Sequence, residues 1–256
     1  MMGVMSRPPD GITDVADGIW RITRADVNCY LIDAPAGPVL VDGGLPRSWP
    51  LLLDALVQLG RTPGDITALY LTHAHFDHVG MGDRLLREYR IPVHVHDADA
   101  HLARHPYRYA HESPRVRYPF RYPATIPGLV RMTAAGALGV KGVEARSDVE
   151  PGRTLPGTDL LEVVATPGHT NGHCSFLWRE RSILFVGDAL VTYDPYTGGH
   201  GPQIVARAAT GDSAQARAAL NAIAKTEARM LLPGHGGAFT EGAASAAAQA
   251  RAAGVA

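Results

Sequence analysis

The chain has 256 residues, 46% of them hydrophobic, and its 24 Lys+Arg against 25 Asp+Glu leave a net charge of −1. That length can bury a sizeable core, and the balanced charge sets up no global field toward nucleic acid or an anionic membrane. Two cysteines, Cys29 and Cys174, are too few for a disulfide framework, and each sits in an apolar run that suits a buried, reduced thiol.

Met1 to Asp10 lacks the continuous apolar stretch of a leader. No window approaches the ~20 apolar residues of a membrane span, so a cytoplasmic protein without a membrane partner is expected. Gly18 to Thr23, Asn28 to Ile32 and Pro38 to Val41 read as strands separated by turn residues such as Ala34 to Gly37. Ser48 to Leu59 reads as a helix: Ser48 is a possible cap, and Leu51, Leu52, Ala55, Leu56 and Leu59 share one face. Ile66 to Leu71 is a strand that stops where a run of histidines begins. Met81 to Tyr89 follows as a helix and Pro92 to Val95 as a strand. In the second half Leu160 to Ala165, Cys174 to Trp178 and Ser182 to Val186 read as strands. Ser213 to Ala228 reads as a helix capped by Asp212 or Ser213, and Met230 to Leu232 as a last strand. Glu241 to Ala256 is Ala-rich and reads as a helix or a frayed tail. Interleaved strands and helices make an α/β layered fold the expectation.

Residues 97–150 break this rhythm. From His101 to Arg121 there are five arginines (Arg104, Arg108, Arg115, Arg117, Arg121), one acid (Glu112) and interleaved tyrosines, followed by a Gly/Ala/Val-rich piece. The expected organisation is one domain over 1–256 with an insertion at about 97–150.

The chemistry concentrates in Thr72-His-Ala-His-Phe-Asp-His-Val-Gly80, where three histidines and an aspartate fall within six residues directly after a strand. His73 and His75 share a face if the strand continues, and a tight turn brings Asp77 and His78 to the same point. Imidazole and carboxylate donors suit Zn, Fe or Mn. Four such groups crowded at a strand end would be costly to bury without a metal. Three more strands each end in a Gly turn carrying one donor: His169 in Thr166-Pro-Gly-His-Thr170, Asp188 in Val186-Gly-Asp-Ala189 and His235 in Leu232-Pro-Gly-His-Gly236. Loops at strand ends converge on one crevice, so these donors are expected to meet.

With these motifs in this order the sequence resembles the metallo-β-lactamase superfamily, in its glyoxalase II- and lactonase-like branch. The resemblance spans most of the chain, from the strands near Asn28 to His235. It implies an αββα sandwich with the metals in a cleft at one edge. It also implies a ligand set: His73, His75 and His169 for one metal, Asp77, His78 and His235 for a second, and Asp188 bridging. Asp42, in Val41-Asp-Gly-Gly44, matches the family's early aspartate and would support the metal loop from behind. His173 resembles a buried histidine behind the ligand loop and is not counted as a ligand.

The reaction so implied is hydrolysis of an ester, lactone or thioester by a metal-bound hydroxide on two Zn, with Fe or Mn as alternatives. Asp77 would act in catalysis by orienting the nucleophile or carrying a proton. The fold alone leaves a mononuclear-iron persulfide dioxygenase, a phosphodiesterase or nuclease, and a β-lactamase as alternatives. Only 21 residues follow His235, with Arg251 their sole basic residue, so the glutathione-binding extension of glyoxalase II has no counterpart. Nucleic acid is disfavoured because the basic stretch is short and the chain neutral. Tyr193 and Tyr196 are candidates to contact a small-molecule substrate, and Arg115 and Arg117 point to an acidic group on it.

Overall fold

The computed structural model describes residues 8–256, so most of the Met1 to Asp10 stretch read for a leader lies outside the described residues. Among the described residues, one sheet holds six strands side by side in chain order: β1 (Gly11–Ala16), β2 (Ile19–Arg24), β3 (Val27–Ile32), β4 (Val39–Val41), β5 (Ala68–Tyr70) and β6 (Val93–His94). The second sheet is built from β7 (Glu162–Ala165), β8 (Cys174–Trp178) and β9 (Ile183–Gly187). A small hairpin, β10 (Val191–Tyr193) with β11 (His200–Gln203), leads on toward β12 (Met230–Pro233), which pairs parallel to β9 and gives the order β12-β9-β8-β7.

The layers follow from side-chain alternation. Tyr30, Ile32, Val39, Val41 and Tyr70 point from the first sheet toward Val163, Phe176, Phe185 and Leu232 of the second, and all are buried. Cys29, Leu31, Leu40 and Leu69 point the other way, onto Leu52 and Leu56 of α1 (Trp49–Gln58) and, past the short α2 (Phe76–Val79), Leu85 of α3 (Gly82–Tyr89). Both faces of the central strands are covered, which is why they read as continuous apolar runs. The segment 97–150 contains α4 (Ala100–Arg104), α5 (Arg117–Arg121) and α6 (Ile126–Ala134). Its return, at Arg146, lies against β6 and exchanges backbone bonds with Val93 and Val95. On the far side, Leu184 and Leu231 pack against Leu220 of α7 (Ser213–Lys225) and Ala246 of α8 (Ala243–Ala253). The molecule is therefore an αββα sandwich.

Some local expectations need correction. Ser48 does not cap α1; its Oγ accepts the Leu45 N–H at 3.3 Å inside a turn that precedes the helix. Asp212 is the cap of α7, accepting from Gln215 N at 2.8 Å, and that helix stops at Lys225 instead of Ala228. The Ala-rich end forms a helix, α8. No helix among the described residues is long and apolar enough to cross a membrane.

Candidate metal centre

Two parallel strand pairs bring the donors together. β4 and β5 run in parallel register, Val41 opposite Tyr70, so Asp42 and the Thr72–His73 turn emerge side by side. β9 and β12 do the same, Gly187 opposite Pro233, and deliver Asp188 beside His235. Asn28 fixes the second turn: its N–H bonds Gly234 O at 2.8 Å, and its amide Nδ2 donates to Pro233 O at 2.9 Å and Gly236 O at 2.8 Å. Gly234 leaves room that a side chain would fill, since a Cβ there would overlap Asp188 Oδ1 and the His78 ring.

All seven donors expected from the sequence meet at this end of the sandwich, and all are buried. They form three overlapping triads, His73/His75/His169, His73/His78/Asp188 and Asp77/His78/His235, each with its donor atoms within 4.8 Å of one another. Asp188 Oδ2 stands between the two ends, 3.5 Å from His169 Nε2, 3.6 Å from His78 Nε2 and 3.2 Å from His235 Nε2.

Second partners select which ring nitrogen faces inward. His73 Nδ1 lies 3.1 Å from Thr72 Oγ1, His78 Nδ1 3.0 Å from Asp42 Oδ2, and His235 Nδ1 2.8 Å from the Asp26 carbonyl, leaving each Nε2 for the centre. His75 Nδ1 and His169 Nε2 confront one another at 2.9 Å. His73 Nε2, His78 Nε2 and Asp188 Oδ1 are shut from solvent without a hydrogen-bond partner. Such orphans cost about 1–3 kcal/mol each, and a divalent cation would satisfy them. The donor set fits one.

The electrostatics agree. Burial, reinforced by neighbouring imidazoles, holds His73 and His75 well below the usual histidine range, and burial pushes His169 down to about 4, so these rings offer lone pairs at neutral pH. Burial opposes the charge on His78 and His235 as well, yet the carboxylates of Asp188, Asp42 and Asp77 outweigh it and push both upward. That end of the site therefore demands positive charge, supplied either by protons or by a cation.

Asp42, in a left-handed conformation at φ 61°, takes the Thr72 N–H at 2.8 Å and also faces His78, so it ties the start of the loop to that ring. His173 uses both ring nitrogens: Nε2 accepts from the Asp188 N–H at 3.0 Å and Nδ1 bonds Thr166 Oγ1 at 2.9 Å, which leaves nothing for a metal. Asp99 was not among the sequence candidates. Its buried carboxylate accepts from Ala74 N at 3.2 Å, Thr170 Oγ1 at 2.7 Å and Gly172 N at 2.8 Å, tying the His75 turn to the His169 turn. It closes the short 3-10 turn Asp97–Asp99 that follows β6.

A cavity of about 370 Å3 opens on Asp77, His169, Asp188 and His235. The segment 97–150 forms one wall of it, through Tyr107, Tyr109, Arg115, Leu129, Met132 and Leu138. Tyr196 lines the cavity beside that wall, held by Asp194, whose Oδ1 accepts the Tyr196 N–H at 2.8 Å, and its hydroxyl is 3.5 Å from that of Tyr109. The other two substrate candidates are elsewhere: Tyr193 is buried with its ring beside His200, Arg117 is exposed on α5, and neither is among the described lining residues.

Comparison with known proteins places this site in context. A family model described as the metallo-beta-lactamase superfamily matches residues 22–235. A probable metallo-hydrolase of Bacillus subtilis, YflN, is 29% identical over 238 residues, covering 87% of this chain and 85% of that protein. An N-acyl homoserine lactonase of a Bacillus species is 26% identical over 191 residues, covering 65% of this chain and 62% of that protein. A metallo-beta-lactamase family protein of Thermus thermophilus superposes with a TM-score of 0.66 at 22% identity, covering 92% of this chain and 79% of that one.

Proposed function

Because the chain belongs to the metallo-β-lactamase superfamily and is a metal-dependent hydrolase of that fold, we propose that it works with two cations on an ester, lactone or thioester. The observation that carries this reading is the position of Asp188 Oδ2, within 3.6 Å of imidazole nitrogens from both ends of the donor cluster. The similarity to an N-acyl homoserine lactonase supports an acyl substrate. The apolar cavity wall supports it too, because hydrophobic lining with a few placed polar groups suits a small organic molecule.

His73, His75 and His169 would hold one cation, Asp77, His78 and His235 the other, and Asp188 both; Zn is the expected metal, and Fe or Mn suits the same donors. When bound, the pair supplies an ionised water at neutral pH and polarises the scissile carbonyl. The remaining roles belong to the chain. Burial would raise Asp77, but His235, 3.4 Å away, and His78 hold its carboxyl below the usual range. It is thus an acceptor at neutral pH, placed to orient the attacking water and to carry a proton to the leaving group. The Tyr196 phenol is kept protonated by burial, with the nearby Tyr109 hydroxyl acting in the same direction, and can donate to an oxyanion formed in the cavity. Tyr109, with its ring centroid 3.9 Å from that of His75 and tilted by 36°, shields that ring from bulk water. Residues 97–150 act in this reading as a cap within one domain.

The test is a panel of lactones, thioesters, aryl esters, a cephalosporin and a bis-aryl phosphodiester, run on protein of measured metal content. Turnover is expected with the acyl substrates, and His75→Ala is expected to abolish it. Hydrolysis that survives in His75→Ala would sink the assignment.

A further inference from the structure

Among the cavity-lining residues contributed by 97–150, Arg115 is the one charged side chain. Its guanidinium carbon lies 3.8 Å over the Tyr109 ring, and that ring packs tilted by 36° against His75, so the charge stands two layers from the donor cluster. Stacking occupies a face of the guanidinium and leaves its N–H edge unused. Arg115 Nε is shut from solvent with no hydrogen-bond partner, and among the described residues no carboxylate pairs with this side chain. Two other arginines of the segment are paired, Arg104 with Glu144 at 2.9 Å and Arg131 with Asp26 at 2.5 Å. A buried N–H that nothing accepts is unfavourable unless a partner arrives.

We propose that Arg115 is the binding site for a carboxylate carried by the substrate. The hydrolysed molecule is then an otherwise apolar ester, lactone or thioester with an anionic group away from the bond that is cut. This deepens the hydrolase reading above and rests on it only for the reaction, not for the binding. A carboxylate matches the outer Nη edge of the guanidinium with two parallel charge-assisted bonds. The apolar body of the same molecule lies against Phe76, Leu129 and Met132. Arg117, exposed and off the cavity, takes no part.

The test compares 4-phenylbutyrate with its neutral isostere 4-phenylbutanamide by calorimetric titration into metal-loaded protein. The wild type is expected to bind the carboxylate about tenfold or more tightly than the amide. Arg115→Met and Arg115→Gln are each expected to bring the two ligands within about twofold, with amide affinity and bound metal unchanged. Two variants guard against one that fails to fold. Equal affinities in the wild type overturn the proposal. So does a preference that persists in both variants, because the anion is then held by the metals. Loss of bound metal together with the preference also overturns it, since Arg115 would then be a brace for His75 acting through Tyr109. Because binding needs no turnover, a failure of the hydrolase reading and a failure of this one give different results.

Discussion

Asp42 Oδ2 lies 3.0 Å from His78 Nδ1, with both side chains buried, and the same carboxylate takes the Thr72 N–H at 2.8 Å. One residue therefore sets the tautomer of a metal donor and the start of the loop that carries the others. Asp42→Ala is expected to weaken metal binding by about 10–100-fold, read by competition with a chromophoric chelator. Asp42→Asn should lose less, because asparagine tolerates the positive φ at this position. Unchanged affinity in the alanine variant would remove Asp42 from the site.

Gly234 has a sharper role. A methyl at this position would overlap Asp188 Oδ1 and meet His78 Cε1 at 2.6 Å, so Gly234→Ala must displace one or both donors. Bound metal should fall by about half or more while the sheet core stays intact, as followed by elemental analysis and circular dichroism. A variant with full metal content would show that the turn has slack.

Asp99 is expected to matter for stability more than its place in an irregular segment suggests. Burial raises its carboxyl above the usual range, yet hydrogen bonds from Thr170, Gly172 and Ala74 act against that. Asp99→Ala leaves those buried donors unsatisfied and should cost about 2–4 kcal/mol. Chemical denaturation measures the loss, and a change below about 1 kcal/mol would contradict the account.

The two thiols give a pH prediction. Burial pushes Cys174 up to about 12, and it raises Cys29 as well, aided by Asp42. The unfolded chain releases these protons near the ordinary thiol value of 9.0 while the folded chain keeps them. Their stabilising contribution is thus complete below pH 9 and is lost as the pH climbs from there toward about 12. Between about pH 8 and 11 the wild-type melting temperature should fall more steeply than that of Cys174→Ala. At about pH 8 neither thiol should react with a thiol-specific dye in the native protein, and rapid labelling would be the contrary result.

The donor cluster was legible because its members follow strands in recognisable turns or, for Asp77 and His78, on the short helix α2 that follows β5, and parallel pairing at β4/β5 and β9/β12 brings most of those ends together. Asp99 escaped because no Gly turn marks it and Asp97, two residues earlier, is the first acid after the strand at Val95. Asn28 was hidden because it sits within an apolar strand and acts on the His235 turn across 205 or more residues of chain. Residues 97–150 resisted reading because α5 is five residues long and Phe120, 84% exposed, breaks any helical apolar stripe. β1 escaped because its side chains are only half-buried or exposed, which blurs the alternation. Of the aromatic and basic candidates, the ones on the cavity are Tyr196 and Arg115. Sequence spacing could not separate them from Tyr193 and Arg117, because only the turn after β10 and the start of α5 decide which way each one points.

The central claim is that the cluster around Asp188 holds two cations. The direct measurement is metal per chain, by elemental analysis of protein expressed with zinc, iron or manganese and freed of loosely bound ions. The account predicts about two per chain, falling to one or fewer in Asp188→Ala. A single tightly bound iron in the wild type, unaltered by loss of His78 or His235, would contradict it.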